Sequence, residues 1–146
     1  DLLKLRNQVC FPLYVASKEI IRKYNKFLKE LDLTYTQYIT MMVMWEVEKE
    51  NVKDLGEKIY LDSGTLTPLL KKLEHKGYLK REKAKEDERN LLITLTPEGK
   101  ALREKAKQIP IEMMKCIDLP LDELIKLKNT LNKIIGDKWW IYMIIK

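Results

Sequence analysis

Apolar residues at Leu2, Leu5, Val9, Leu13, Ala16, Ile20, Tyr24, Phe27 and Leu31 recur in steps of three and four, the pattern of one face of a long amphipathic helix. Pro12 interrupts that pattern, because it has no amide to donate to the Gln8 carbonyl. Either the helix kinks there or it starts near Pro12; the favoured form is a helix over 12–31 with a shorter helical piece upstream. Thr34 is placed to cap a second helix over 35–48, with Tyr38, Met41, Met42 and Trp45 inward as core rather than as a cofactor box. Residues 51–59 predict a short helix with Val52, Leu55 and Ile59 inward, followed by a turn at Tyr60, Leu61 and Asp62. Leu66, Leu69, Leu70 and Leu73 then line one face of another helix, whose other face carries Ser63, Thr65, Thr67, Lys71 and Lys72. Gly77 suits the residue just past its end. Residues 78–81 and 91–96 read as two strands around a polar tip rich in both charges. Thr96-Pro97-Glu98-Gly99 opens a helix running to about Gln108 and ending before Pro110, and 113–117 is helical with weak boundaries. Leu121, Leu124, Leu127, Leu131 and Ile134 form a narrow seam of the kind that packs on another helix. The predicted class is mainly α with a small β-wing.

At 146 residues the chain is one domain, or one subunit of a small oligomer, and long enough to bury a core. No run approaches a membrane span and no secretory pattern is visible, which favours the cytoplasm and no membrane partner. The formal net charge of +6 fits an anionic partner. The bias is concentrated in Lys71, Lys72, Lys76, Lys80, Arg81, Lys83, Lys85 and Arg89, although a solvated lysine face has the same composition. Cys10, Cys116 and the single histidine, His75, match no metal spacing, so no metal and no cofactor is expected. The chain lacks a nucleophile elbow, a P-loop and a dinucleotide fingerprint, and nothing in it points to an enzyme. A helix presenting hydroxyls and lysines, followed by a charged hairpin, suits reading duplex DNA: helix in the major groove, wing toward phosphates or the minor groove. An ordinary amphipathic helix with a surface hairpin accounts for the composition equally well.

The order of residues favours DNA. LDSGTLTPLLKKLE, followed by G-Y-L-x-R and then Asp87-Glu88-Arg89, resembles the winged helix-turn-helix of the MarR family of bacterial regulators. Asn7-Gln8-Val9-Cys10-Phe11 and residues 33–38 resemble one branch more closely, the organic hydroperoxide resistance regulators (OhrR). The resemblance covers about 5–106. It implies a single MarR-type domain, with a winged helix-turn-helix over about 33–97 and dimerisation helices over about 1–31 and 98–146. It also implies a homodimer that binds pseudo-palindromic, double-stranded operator DNA. Local rules would start the recognition helix at Thr67 with Pro68 in its first turn; the resemblance starts it near Asp62 or Ser63, which is the form adopted here. Ser63, Thr65, Thr67 and Lys72 match DNA-facing positions of the family, and Lys71 suits a phosphate contact. Arg89 matches the wing arginine that enters the minor groove, with Asp87 orienting it.

Pro12 also places Cys10 just ahead of a helix N-terminus, where the dipole stabilises a thiolate. The OhrR resemblance makes Cys10 a redox sensor, with Tyr14, Tyr24 and Tyr35 matching the family's supporting tyrosines and the latter two reaching the sulfur from the other subunit. An organic hydroperoxide would oxidise Cys10 to a sulfenic acid, a second thiol would trap it, and the repressor would leave its operator. The second thiol is a low-molecular-weight thiol in one group of the family and a second cysteine in another. Cys116 lies in the region of that resolving cysteine, though an inert thiol fits its sequence context nearly as well. Three alternatives stand beside this reading. One is a thiol-based global regulator of the SarZ/MgrA type; another is a MarR regulator released by a phenolic or lipophilic ligand. The third, a thiol peroxidase, lacks the arginine–threonine setting of such enzymes. The closing WWIYMIIK suits packing across a dimer better than a lipid contact.

Overall fold

The computed structural model describes residues 1–85 and 90–136. Asp87, Arg89 and the closing WWIYMIIK therefore lie outside the described residues. The elements are α1 (Cys10–Leu28), α2 (Tyr35–Val47), β1 (Lys49–Asn51), α3 (Val52–Ile59), α4 (Ser63–His75), β2 (Leu79–Lys83), β3 (Leu91–Leu95), α5 (Pro97–Ala106), α6 (Ile109–Ile117) and α7 (Leu121–Ile135). Short 3-10 turns at Leu5–Asn7 and Lys29–Leu31 flank α1. The chain is thus mainly helical, with a small antiparallel sheet in the order β1-β3-β2.

Most helix starts are written in single side chains. Thr34 Oγ1 accepts from the Gln37 amide at 3.3 Å while Gln37 Oε1 accepts from the Thr34 amide at 3.1 Å, a reciprocal capping box. Asn51 caps α3 by accepting from the Asp54 amide, Asp62 caps α4 through the Thr65 amide, and Thr96 caps α5 through the Gly99 amide. α1 differs: Val9 at its cap offers no side-chain bond, and Pro12 lies inside its first turn. The first amides of a helix have no intrahelical partner, so proline costs no hydrogen bond there. This is why α1 begins at Cys10 and not at Pro12. α6 likewise starts at Ile109, with Pro110 inside its first turn, and α5 stops at Ala106, two residues short of the expected end.

The core gathers Leu28, Met41, Met44, Leu55, Leu66, Leu70, Leu73, Leu79 and Ile93, each with almost no exposed surface. Met44 is buried where Met42, expected inward, is 41% exposed. The run of apolar residues from Ile39 to Trp45 leaves α2 apolar on nearly every side, so spacing alone could not choose its inner face. β1 was not foreseen. Its three polar residues carry no alternation, and it exists because β3 pairs with it as Lys49–Thr94, Glu50–Ile93 and Asn51–Leu92. By contrast α7 has no buried residue, and its seam residues Leu121 and Ile134 are more than 60% exposed. Among the described residues no helix is long and apolar enough to cross a membrane, and no group of His, Cys, Asp or Glu is arranged to hold a metal.

Candidate nucleic-acid interface and thiol site

Helix α3, the turn after it and α4 form the helix-turn-helix. Tyr60 takes a left-handed conformation with φ 56°, turning the chain out of α3. The Leu61 amide donates to the Gly56 carbonyl at 3.0 Å, closing the turn against the helix. A Cβ on Gly56 would stand 2.8 Å from the Leu61 carbonyl oxygen, so this close approach requires glycine. α4 begins at Ser63, as the resemblance implied, and Pro68 lies within it. Pro68 would have bonded the carbonyl of Gly64, one turn back and on the exposed side.

The four leucines of α4 are buried, and Ser63, Thr65, Lys71 and Lys72 are exposed on the other face, with Thr67 half-buried at its edge. The Thr65 amide donates to Asp62 Oδ1 at 2.9 Å and the Thr65 hydroxyl to Oδ2 at 3.2 Å, and the two hold the Asp62 carboxyl below its ordinary range. Lys71 and Lys72 have no ion pair among the described residues, which leaves both charges for a partner.

The end of α4 is fixed to the wing. Gly77 (φ 81°) turns the chain, the Gly77 amide donates to the Glu74 carbonyl at 2.9 Å and the Tyr78 amide to the Leu73 carbonyl at 3.1 Å, together a Schellman motif. The Glu74 carboxylate accepts from the Arg81 amide at 2.9 Å and from Arg81 Nε at 2.7 Å. Both residues are half-buried, and the arginine contact lowers the Glu74 pKa. Glu74 thus ties the end of α4 to β2. Sequence reasoning missed this pair, since seven residues of separation across a turn carry no periodic signal.

Cys10 is exposed and is the first residue of α1, not a residue ahead of it. Tyr14 lies one turn further along and is also exposed, with Lys18 Nζ 3.3 Å from its hydroxyl and 5.0 Å from its ring centre. Tyr24 lies fourteen residues beyond Cys10 on the same helix, roughly 20 Å at 1.5 Å per residue. Its ring is 4.9 Å from Tyr35 and 5.9 Å from Tyr38, in a cluster that continues to Trp45. Within one chain the structure thus brings Tyr24 and Tyr35 together and leaves both far from Cys10. Cys116, half-buried on α6, faces the same distant part of α1: its carbonyl accepts from Lys23 Nζ at 3.2 Å. Even after subtracting the reach of the lysine stem, the two thiols lie outside the Cα separation of about 7 Å within which a disulfide closes.

Burial first, and the neighbouring Tyr35 and Tyr38 after it, push the Tyr24 phenol up to about 12. Tyr35 is raised by burial, and Tyr38 by burial and by Tyr35. Folding thus favours the neutral phenols, a contribution intact below the ordinary value of about 10 and lost as pH rises through the folded values. In an alkaline titration followed by tyrosinate absorbance, Tyr24→Phe should remove a component titrating near 12; loss of a component near 10 instead would contradict the cluster.

A model of the family described as transcriptional regulator SarA/Rot matches residues 22–109. SarZ of Staphylococcus saprophyticus, an HTH-type transcriptional regulator, is 51% identical over 132 residues, covering 90% of each chain. AbfR of Staphylococcus epidermidis is 35% identical. In its reduced, DNA-bound form it superposes with a TM-score of 0.77, covering 91% of this chain and 92% of that one. In its disulfide form the TM-score is 0.63, with 92% and 94% covered. A MarR mutant from E. coli complexed with operator DNA has a TM-score of 0.79 at 25% identity, covering 93% and 99%. The relatives are SarZ regulators, so the thiol-based SarZ alternative is better supported than the organic hydroperoxide resistance branch. They are regulators rather than enzymes. With its three-stranded sheet, its helix-turn-helix and a wing of MarR type, the chain belongs to the SarA/Rot family of transcriptional regulators.

Proposed function

We propose that the protein is a homodimeric DNA-binding regulator of the cytoplasm, of the SarZ type, whose grip on its operator is set by the oxidation state of Cys10. The observation that carries the reading is the placement of Cys10: an exposed thiol in the first turn of α1, where the N-terminal half of the helix leaves Phe11, Leu13 and Val15 uncovered by its own chain. Val9 is 81% exposed, and Leu13, Leu121, Ile125 and Ile134 are exposed as well, which a second copy would bury. The solved reduced and disulfide forms of AbfR support a thiol switch in this fold.

In the reaction, the Cys10 thiolate attacks the outer oxygen of an organic hydroperoxide. The O–O bond breaks, sulfur becomes a sulfenic acid, and the alkoxide leaves as an alcohol after taking a proton. A thiol then displaces hydroxide from that sulfur, giving a disulfide and water. Because Cys116 is out of reach within the chain, Cys116 of a second copy or a low-molecular-weight thiol supplies the second sulfur. Tyr14, with Tyr24 and Tyr35 from the second copy, would surround the sulfur with phenolic donors.

On DNA, Ser63, Thr65, Thr67 and Lys72 meet the major groove, Lys71 a phosphate, and Arg89 the minor groove with Asp87 orienting it. DNA-binding anisotropy on a pseudo-palindromic A·T-rich duplex tests the whole reading. Reduced protein should bind, one equivalent of cumene hydroperoxide should release it, and dithiothreitol should restore it. Binding that ignores peroxide would leave the regulator and remove the switch. Arg89→Ala should weaken binding and lower the slope of log affinity against log salt by about one phosphate contact. An unchanged slope would take the wing out of the interface.

A further inference from the structure

Oxidation of the Cys10 thiolate by a hydroperoxide calls for one proton that neither reactant spares. The hydroxyl that joins the sulfur keeps its own hydrogen, and the departing alkoxide, a far stronger base than a phenolate, must collect a proton from elsewhere. Cys10, Tyr14 and Lys18 stand four residues apart along α1, which sets them in line on one face of the helix. Long side chains on a helix lean over the turn before them, so Lys18 reaches back to Tyr14 and Tyr14 back toward Cys10. The first of these contacts is explicit: Lys18 Nζ is 3.3 Å from the Tyr14 hydroxyl and 5.0 Å from its ring centre. An ammonium can only donate, so the phenol oxygen accepts from Lys18 and its own hydrogen is left for another acceptor. Lys18 has no ion pair among the described residues to draw it away.

We propose that Tyr14 is the catalytic acid of the oxidation step, giving its phenol proton to the alkoxide, and that Lys18 is the residue that positions it. This rests on the redox reading of Cys10 and adds the source of the proton. The Cys10 sulfur bonds to the outer peroxide oxygen, and the O–O electron pair leaves with the inner oxygen. The Tyr14 proton moves onto that inner oxygen and completes the alcohol. The phenolate left behind lies beside the Lys18 ammonium, which offsets its charge until water returns the proton. Tyr24 and Tyr35, the other phenols expected at the sulfur, suit this task less. Burial favours their neutral forms, which opposes release of a proton.

The test uses the full chain and compares leaving groups. Cumene hydroperoxide expels an alkoxide that needs a proton, whereas peracetic acid expels acetate, which leaves without one. Sulfenic acid at Cys10 is trapped with a 1,3-diketone and followed by mass spectrometry in the parent, Tyr14→Phe, Lys18→Met and Lys18→Arg. Tyr14→Phe should slow the cumene hydroperoxide reaction by about a hundredfold, the low end for a general acid, and leave the peracetic acid reaction within about twofold. Lys18→Met, which keeps the aliphatic stem, should slow the first reaction several-fold, and Lys18→Arg should restore it. A loss shared equally by both oxidants would make Tyr14 a structural neighbour of the thiol and overturn the proposal. Oxidation that ignored the Tyr14 and Lys18 substitutions would overturn it alone. No sulfenic acid at Cys10 in the parent with either oxidant would bring down the redox reading and the proposal together.

Discussion

Cys10→Ser protein should bind the same duplex as the parent, within about twofold, and stay bound when an organic hydroperoxide is added. The serine hydroxyl is close to the thiol in size, and the side chain is exposed, so neither core nor caps are disturbed. What is lost is the only group in the first turn of α1 that a peroxide can oxidise reversibly. The parent should lose about tenfold or more in affinity on oxidation, within the range of typical coupling between two sites on a protein. Cys116→Ser separates the two routes after the first step. If a second copy supplies the resolving thiol, this variant is still oxidised at Cys10, but a disulfide-linked dimer no longer forms on non-reducing electrophoresis. If a small thiol does so, the mass of the mixed disulfide persists. Peroxide-driven release that survived Cys10→Ser would end the sensor assignment.

The second large effect is on stability. Gly99→Ala should cost about 3 kcal/mol, or about 10 °C in Tm for a chain of this size. A Cβ at position 99 would stand 2.2 Å from the Tyr78 carbonyl oxygen and 2.7 Å from Leu95 Cδ1. The carbonyl cannot simply turn aside, because it already accepts from the Thr96 amide at 3.1 Å. Nor can α5 slide freely, since the Gly99 carbonyl accepts from Trp45 Nε1 at 2.8 Å and its amide is held by Thr96 Oγ1. Gly77→Ala provides the contrast. Nothing lies within 4 Å of a Cβ there, and its cost comes from φ alone, about 1 kcal/mol. Thermal unfolding of the two variants should rank them clearly, and a mild Gly99→Ala would mean that the root of the wing yields more than its packing implies.

Elements with a single apolar face were legible from the chain. The leucines of α4, the Thr34 cap and the junction at Thr96 each state their structure locally, through spacing or a hydrogen bond that reaches only three residues. Legibility failed where the cause lies elsewhere in the chain. β1 is a strand because β3 needs a neighbour, and no property of Lys49, Glu50 or Asn51 announces it. Met42 and Met44 could exchange roles on paper because α2 is apolar almost all round. Pro12 and Pro110 read as boundaries, whereas each lies inside a first turn. For the site, the residues of α4 could be named from the resemblance, but the Glu74–Arg81 pair that ties α4 to β2 has no linear signature. The separation of Cys10 from Cys116 likewise emerges only when α6 is laid along α1.

The carboxylate of Glu74, gripping both the backbone and the side chain of Arg81, has a consequence for how such a regulator diversifies. If α4 and the root of the wing act together on DNA, preference for particular bases and tolerance for the gap between half-sites become separately inherited traits. In the proposed dimer the first would be rewritten by exchanging a few side chains on α4, the second by reshaping the terminal helices proposed to set one head apart from the other. A duplicated copy could therefore acquire new targets without relearning its spacing.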